Sequence, residues 1–171
     1  MLQLVIDEAA CRKGWLIQGA NLSKQEYLAF CERNSSWRIE RSAEGELQLM
    51  APANATSSDQ NSELNMQLRA WAKRDGTGLS FDCSVAFDLP DGSNRSPDAS
   101  WVSKSRWDAL PPDHRLPFPE LCPDFGAEVR SCSDRLSALR AKMQKYVANG
   151  AQLGWLIDPI EAQVSIYRPG T

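Results

Sequence analysis

Histidine is almost absent from this chain: among 171 residues there is one, His114. That excludes a His-rich metal centre and forces any Ser-His-Asp or Cys-His device through a single side chain. His114 lies in LPPDHRLPFPE, a proline-rich segment with no nucleophile motif nearby, and reads as a solvated loop histidine. The five cysteines (Cys11, Cys31, Cys83, Cys122, Cys132) show no CxxC spacing, which excludes the familiar zinc and dithiol patterns. Scattered thiols of this kind read as small buried hydrophobes in a cytoplasmic chain. No apolar run approaches the ~20 residues of a membrane helix. The start, MLQLVIDEAACRKGW, carries acids where a signal peptide needs a basic segment followed by a long apolar one. Charge of one sign is lacking too, since 19 Lys+Arg stand against 22 Asp+Glu, a formal net of −3. A basic protein that coats nucleic acid non-specifically is therefore excluded, although a local basic patch is not. Whatever chemistry the chain performs must rest on carboxylates and cations.

What is present is an ordinary soluble composition, 42% apolar and 24% charged, with enough length for one domain and its own core. There is no repeat and no linker. SKQEYLAFCER predicts a short helix over 23–33 with Ser23 as N-cap and Glu26 in the capping-box position. Segments 36–41 and 46–50, split by AEGE, predict a β-hairpin. APANATSSDQN reads as a polar loop leading into a helix over 58–74, where Leu64, Leu68, Trp71 and Ala72 recur at helical spacing. GLSFDCSVAFDL alternates as one strand with Phe81, Cys83, Val85 and Phe87 on one face. DGSN turns the chain into a second strand, RSPDASWVS, and DFGAEVRS makes a third. Ser133 or Asp134 would cap a helix running to about 148, with Gly150 ending it. LGWLIDP reads as a buried strand, parallel to a neighbour, and VSIYRP as the last hairpin arm. Helix, three strands, helix and strand define an α/β (α+β) sandwich around one mixed sheet.

Three acids stand out by position. Asp98 follows Pro97 at a strand start, Glu128 sits inside the apolar strand FGAEVRS, and Glu63 lies beside the Leu64/Leu68 face of its helix. A carboxylate inside a buried strand costs several kcal/mol unless a cation or hydrogen bonds satisfy it. A hard divalent cation such as Mg²⁺ would serve two such acids at once. The alternative is structural: Asp98 as a turn acid, and Glu128 facing solvent or paired with Arg130. Lys142, on the flank of the last helix's apolar stripe, either reaches the same place with its aliphatic stem or is a solvated lysine. Arg95, Lys104, Arg106, Arg130, Arg135, Arg140 and Lys145 add cationic charge on both sides of these acids in sequence. Trp71, Trp101 and Trp155 read as core residues.

RSPDASWV, PDFGAEVRS, a helix carrying KMQKY, and NGAQLGWLIDP together resemble the bacterial Uma-type putative restriction endonucleases, a branch of the PD-(D/E)XK nuclease superfamily. The likeness runs from LSKQEYLAF to YRPG. It implies a single restriction-endonuclease-like domain over 1–171, with an αβββαβ core at about 56–171 and an N-terminal helix-plus-hairpin extension at about 1–55. It also implies a Mg²⁺- or Mn²⁺-dependent endonuclease acting on nucleic acid, in particular DNA, as a homodimer. Residue by residue, Asp98 matches the metal-binding aspartate of the PD element, Glu128 the metal-binding acid of (D/E)XK, and Glu63 the accessory glutamate of the first core helix. Arg130 stands where the motif has lysine. Arginine can clamp a phosphate with its planar fork but is a poor base, and Lys142 is the substitute this resemblance implies. The rival expectation is a nuclease fold without activity that binds nucleic acid or regulates. A plain interaction module comes after both.

Overall fold

A computed structural model of the protein describes residues 15–170. Cys11 and the rest of the leading segment lie outside them. The described residues form two five-stranded sheets with four helices.

The first sheet is built around the N-terminal hairpin. Strands β1 (Trp15–Ile17), β2 (Arg38–Arg41) and β3 (Leu47–Met50) are antiparallel, and helix α1 (Lys24–Arg33) packs on one face. Ser23 and Glu26 close the expected capping box at its start. Tyr27 and Phe30 from the helix meet Ile39, Leu47 and Leu49 from the hairpin in a core of their own. Because strand side chains alternate, Ile39 facing α1 sends Arg38 and Glu40 to the opposite face. That face is not solvent, for Glu40 is 1% exposed.

Helix α2 spans Ala55–Asp75, so the expected polar loop is helical from Ala55 onward and only its first residues, through the cap Asn54, stay outside the helix. Asn54 caps it by accepting from the Ser57 N–H, and left-handed Gly76 ends it. After β4 (Gly78–Asp82) the sequence GLSFDCSVAFDL does not continue as one strand. It breaks at Cys83–Ala86, and β5 (Phe87–Asp88) and β6 (Asn94–Arg95) pair as a hairpin that joins the first sheet beside β2. Ser96 Oγ, donating toward the carbonyls of Cys83 and Val85, ties down the crossover. The chain then returns to the second sheet through Pro97 and Asp98.

The second sheet has the order β10-β9-β8-β7-β4, with β7 (Ala99–Ser103), β8 (Phe125–Val129), β9 (Leu153–Asp158) and β10 (Gln163–Tyr167). Its pairs are antiparallel except β8 with β9, which are parallel as the apolar run LGWLIDP predicts. The crossover between those two strands carries helix α4 (Leu136–Ala148). Asp134 caps no helix; it folds the preceding turn by accepting from Ser131 N–H and Oγ. A short helix, α3 (Lys104–Ala109), was not foreseen in the sequence. Helix α4 lies close over the sheet at Gly154, where a Cβ would stand 2.5 Å from Met143 Cε. Met143, Tyr146, Val102, Leu156 and Phe87 form the second core. That packing delivers the polar flank of α4, Lys142 included, to the seam between the two sheets.

Candidate active site

The seam holds six charged side chains from both sheets, the crossover between them and α4. Glu128 enters from near the end of β8 and is 2% exposed. Its Oε1 accepts from Tyr146 Oη at 2.9 Å and lies 2.8 Å from Lys142 Nζ. The same ammonium is 2.8 Å from Glu40 Oε1 on β2. Glu40 also accepts from Arg95 Nη1 at 3.1 Å and from the Ser96 N–H at 3.0 Å. Asp98 sits on the crossover just before β7, with Oδ1 3.1 Å from Arg38 Nη1 and Oδ2 accepting from the Val129 N–H at 2.9 Å. Asn65 of α2 donates to the Asp98 carbonyl at 2.8 Å and fixes its backbone. Three carboxylates thus face three cations, Arg38, Arg95 and Lys142, in a region with little water to screen them.

Burial sets the electrostatics of each acid, and the neighbours decide its direction. Glu128 is pushed above the ordinary carboxylate range by burial; Lys142 opposes this, while the charges of Asp98 and Glu40 add to it. Glu40 is just as buried, yet Lys142, Arg95 and Arg38 together hold it below that range. For Lys142, burial alone would lower the value, but Glu128 and Glu40 outweigh it and hold the ammonium charged. Tyr146 is driven well up by burial first and by Glu128 second, so it remains a hydrogen-bond donor to the carboxylate.

Of the residues singled out in the sequence, the structure brings Asp98, Glu128 and Lys142 into one cluster. Arg130 does not join them: its Nη1 pairs with Asp158 Oδ2 at 2.8 Å on β9. Glu63 is exposed on α2 and accepts from Gln67 one turn on. The helix face turned toward Asp98 carries Asn61 and Asn65 instead. Much of the expected basic run is neutralised in pairs, Arg106 with Asp124, Lys104 with Asp108 and Lys145 with Glu44. Arg38, Glu40, Asn61 and Asn65 escaped the sequence analysis. RIER reads as a half-exposed strand when its second face is assumed to meet water.

A divalent cation fits the donor set. The oxygens of Asp98 and Glu128 are hard donors on adjacent strands, and Mg²⁺ takes one or two carboxylates with water filling the rest. Asn61 adds a buried side-chain oxygen without a hydrogen-bond partner, one turn before Asn65. Among the described residues no three His, Cys, Asp or Glu side chains converge as a complete protein cage.

The mixed second sheet, with α4 on one side and α2 on the other, has a counterpart among solved structures. The solved structure of a putative nuclease belonging to DUF820 from Anabaena variabilis ATCC 29413 matches it with a TM-score of 0.66 and 23% identity, over 78% of this chain and 73% of that one. The model of the Uma2 family, described as putative restriction endonuclease, matches residues 24–171. The chain belongs to the Uma2 family. No curated protein matches.

Proposed function

We propose that this protein is a divalent-metal-dependent endonuclease that hydrolyses phosphodiester bonds in DNA. The observation that carries the proposal is the Lys142 ammonium, buried and 2.8 Å from Glu128, in the cluster that also holds Asp98. The lysine missing two residues after Glu128 is thereby supplied from α4. Asp98 and Glu128 would hold Mg²⁺ or Mn²⁺. A cation held there would lower the pKa of a bound water and neutralise charge on the scissile phosphate.

The chain's own groups do the rest. The Val129 N–H, Arg38 and Asn65 fix Asp98, and the Tyr146 hydroxyl fixes Glu128. Lys142 donates from its ammonium toward the phosphate oxygens as negative charge grows in the transition state. Arg130 is engaged with Asp158, whereas Lys142 lies against Glu128 itself. The homodimeric state and cytoplasmic location implied by the resemblance and the composition belong to the same proposal; Cys31, Cys83, Cys122 and Cys132 are free thiols, as a reducing compartment maintains them.

A second reading has its own observation: three cations already satisfy three carboxylates without any metal, which suits a nuclease fold kept for binding. The two readings part on supercoiled plasmid incubated with Mn²⁺ or Mg²⁺. The nuclease reading expects metal-dependent nicking, and Lys142→Met slows it by about 10²-fold or more, the typical effect of removing one transition-state donor. Wild-type protein that leaves plasmid, RNA and bis(4-nitrophenyl) phosphate intact with either metal would contradict it.

A further inference from the structure

The three cations of the seam differ in depth. The side chains of Lys142 and Arg95 are 13% and 11% exposed, whereas that of Arg38 is 28% exposed. All three acids lie deeper than Arg38, with Asp98 at 9%, Glu128 at 3% and Glu40 at 1%. Arg38 opens β2, two residues before Glu40 on the same face, and stands at the rim of the seam with Glu40 inside it. Arg38 is also the least committed of the three. Its bond from Nη1 to Asp98 Oδ1 uses one of five N–H donors, and its Nε is buried without a partner. Lys142, by contrast, is tied between two carboxylates. The Nε atoms of Arg95 and Arg130 are unpaired too, but Arg95 is held inside on Glu40, and Arg130 stands outside the cluster on Asp158. The tryptophans offer no substitute for a cation. Trp71 and Trp155, read as core residues, are instead 43% and 36% exposed, and the cross-strand neighbours of Trp155 are the uncharged Ala127 and Ile166.

We propose that Arg38 is the residue that grips the phosphodiester backbone of the substrate at the mouth of this site. The inference rests on the nuclease reading for its substrate and adds the group that binds it. An anion entering the seam approaches three carboxylates where little water screens them. The guanidinium at the rim meets that anion first and offsets the repulsion. Its planar fork matches two phosphate oxygens at once, and its charge is permanent. Asp98 does not depend on Arg38 alone, because its Oδ2 accepts from the Val129 N–H and Asn65 holds its carbonyl. The guanidinium can therefore bridge Asp98 and a phosphate, while Lys142 acts from inside the seam. Arg38 belongs to the N-terminal hairpin, so this extension is part of the substrate-binding surface as well as packing for the core.

Fluorescence anisotropy of a short labelled DNA duplex, titrated with the full chain in EDTA so that nothing is cut, tests it. Arg38→Gln is expected to weaken binding about tenfold, the typical effect of losing one charge-assisted hydrogen bond. Measured from ~50 to ~200 mM salt, the slope of log affinity against log salt should fall by about one, as loss of one phosphate contact requires. Asp98→Asn removes an acid and frees Arg38, so it should bind more tightly than wild type, and Asp98→Asn/Arg38→Met should lose that gain. The double variant removes both partners of the pair, and it decides the matter if Arg38→Gln fails to fold. Weaker binding with an unchanged salt slope would make Arg38 a purely structural partner of Asp98 and overturn the inference. Binding equal to that of wild type would overturn it too. A wild type that binds no duplex would overturn it together with the DNA reading. Binding through Arg38 without metal-dependent nicking would uphold it and remove the nuclease reading.

Discussion

Replacing Glu40 by Gln is expected to lower the melting temperature by about 10 °C, although Glu40 lies outside every motif in the sequence. The substitution keeps the shape and removes one charge. Lys142 and Arg95 then lose a partner held at 2.8 and 3.1 Å. Breaking a buried pair from one side typically costs 3–5 kcal/mol, and each kcal/mol moves the midpoint by about 2–4 °C in a domain of this size. The sign with pH follows from the direction of the shift. Glu40 is held below its ordinary value in the folded chain, so its contribution is present above the ordinary carboxylate range and fades as pH falls beneath it. The gap between wild type and variant should therefore close in acid. Thermal melts of the two proteins from pH 3 to pH 8 check this, and a constant gap would show that Glu40 acts through packing alone.

Glu128→Gln is expected to act in the opposite sense and to stabilise the fold. Burial and the charges of Asp98 and Glu40 raise Glu128 even with Lys142 beside it, so the folded chain prefers the neutral form. A neutral isostere relieves that cost. Lys142 is not orphaned, because Glu40 still holds it, and Tyr146 can still donate to the side-chain oxygen. The folded state binds the Glu128 proton more tightly than the unfolded one, so wild type loses stability as pH rises from the ordinary carboxylate range through the raised value. The advantage of the variant should grow over that interval and level off at about 1–3 kcal/mol. Denaturant titrations at pH 5 and pH 8 measure it. The same variant should lose metal-dependent hydrolysis, the usual exchange between stability and function at a strained site. A variant less stable than wild type at pH 8 would mean that the Lys142 pair outweighs the burial cost.

The two glutamates are equally buried and share one lysine, yet they differ in kind. Glu40 belongs to the structural half of the cluster, where three cations outweigh burial. Glu128 stands beside Asp98, and a second acid turns the balance against its charge. A divalent cation entering at Asp98 and Glu128 would reverse that balance, which is why the pair reads as functional rather than structural.

Local signals in the sequence were sufficient for α1, the first hairpin, α4 and the parallel strand β9. The first two combine a period with a cap or a turn, α4 an apolar stripe with a closing glycine, and β9 is a continuous apolar run. GLSFDCSVAFDL misled because its alternation continues in phase across the crossover at Cys83–Ala86, although its two halves join different sheets. Periodicity reports which side of a strand is buried and carries nothing about which sheet buries it. The start of α2 was masked by TSSDQN, whose side chains compete with helical hydrogen bonds in isolation, whereas here the Asn54 side chain caps the helix by accepting from the Ser57 backbone N–H. Asp98 and Glu128 were legible because an acid in or before an apolar strand conflicts with its surroundings. Lys142 was half legible, since its stem could reach the core but its partner was unknown. Arg38 and Glu40 were not legible, because their burial comes from long-range packing between the sheets, which no window of β2 encodes.

The central claim is that Asp98 and Glu128 form one metal site, and titration calorimetry with Mn²⁺ and Mg²⁺ tests it without a substrate. The account predicts saturable heat in wild type, its loss in both Asp98→Asn and Glu128→Gln, and its retention in Arg130→Ala, whose guanidinium is engaged with Asp158. Heat that survives in either acid variant, or a folded wild type that gives none with either metal, would contradict it.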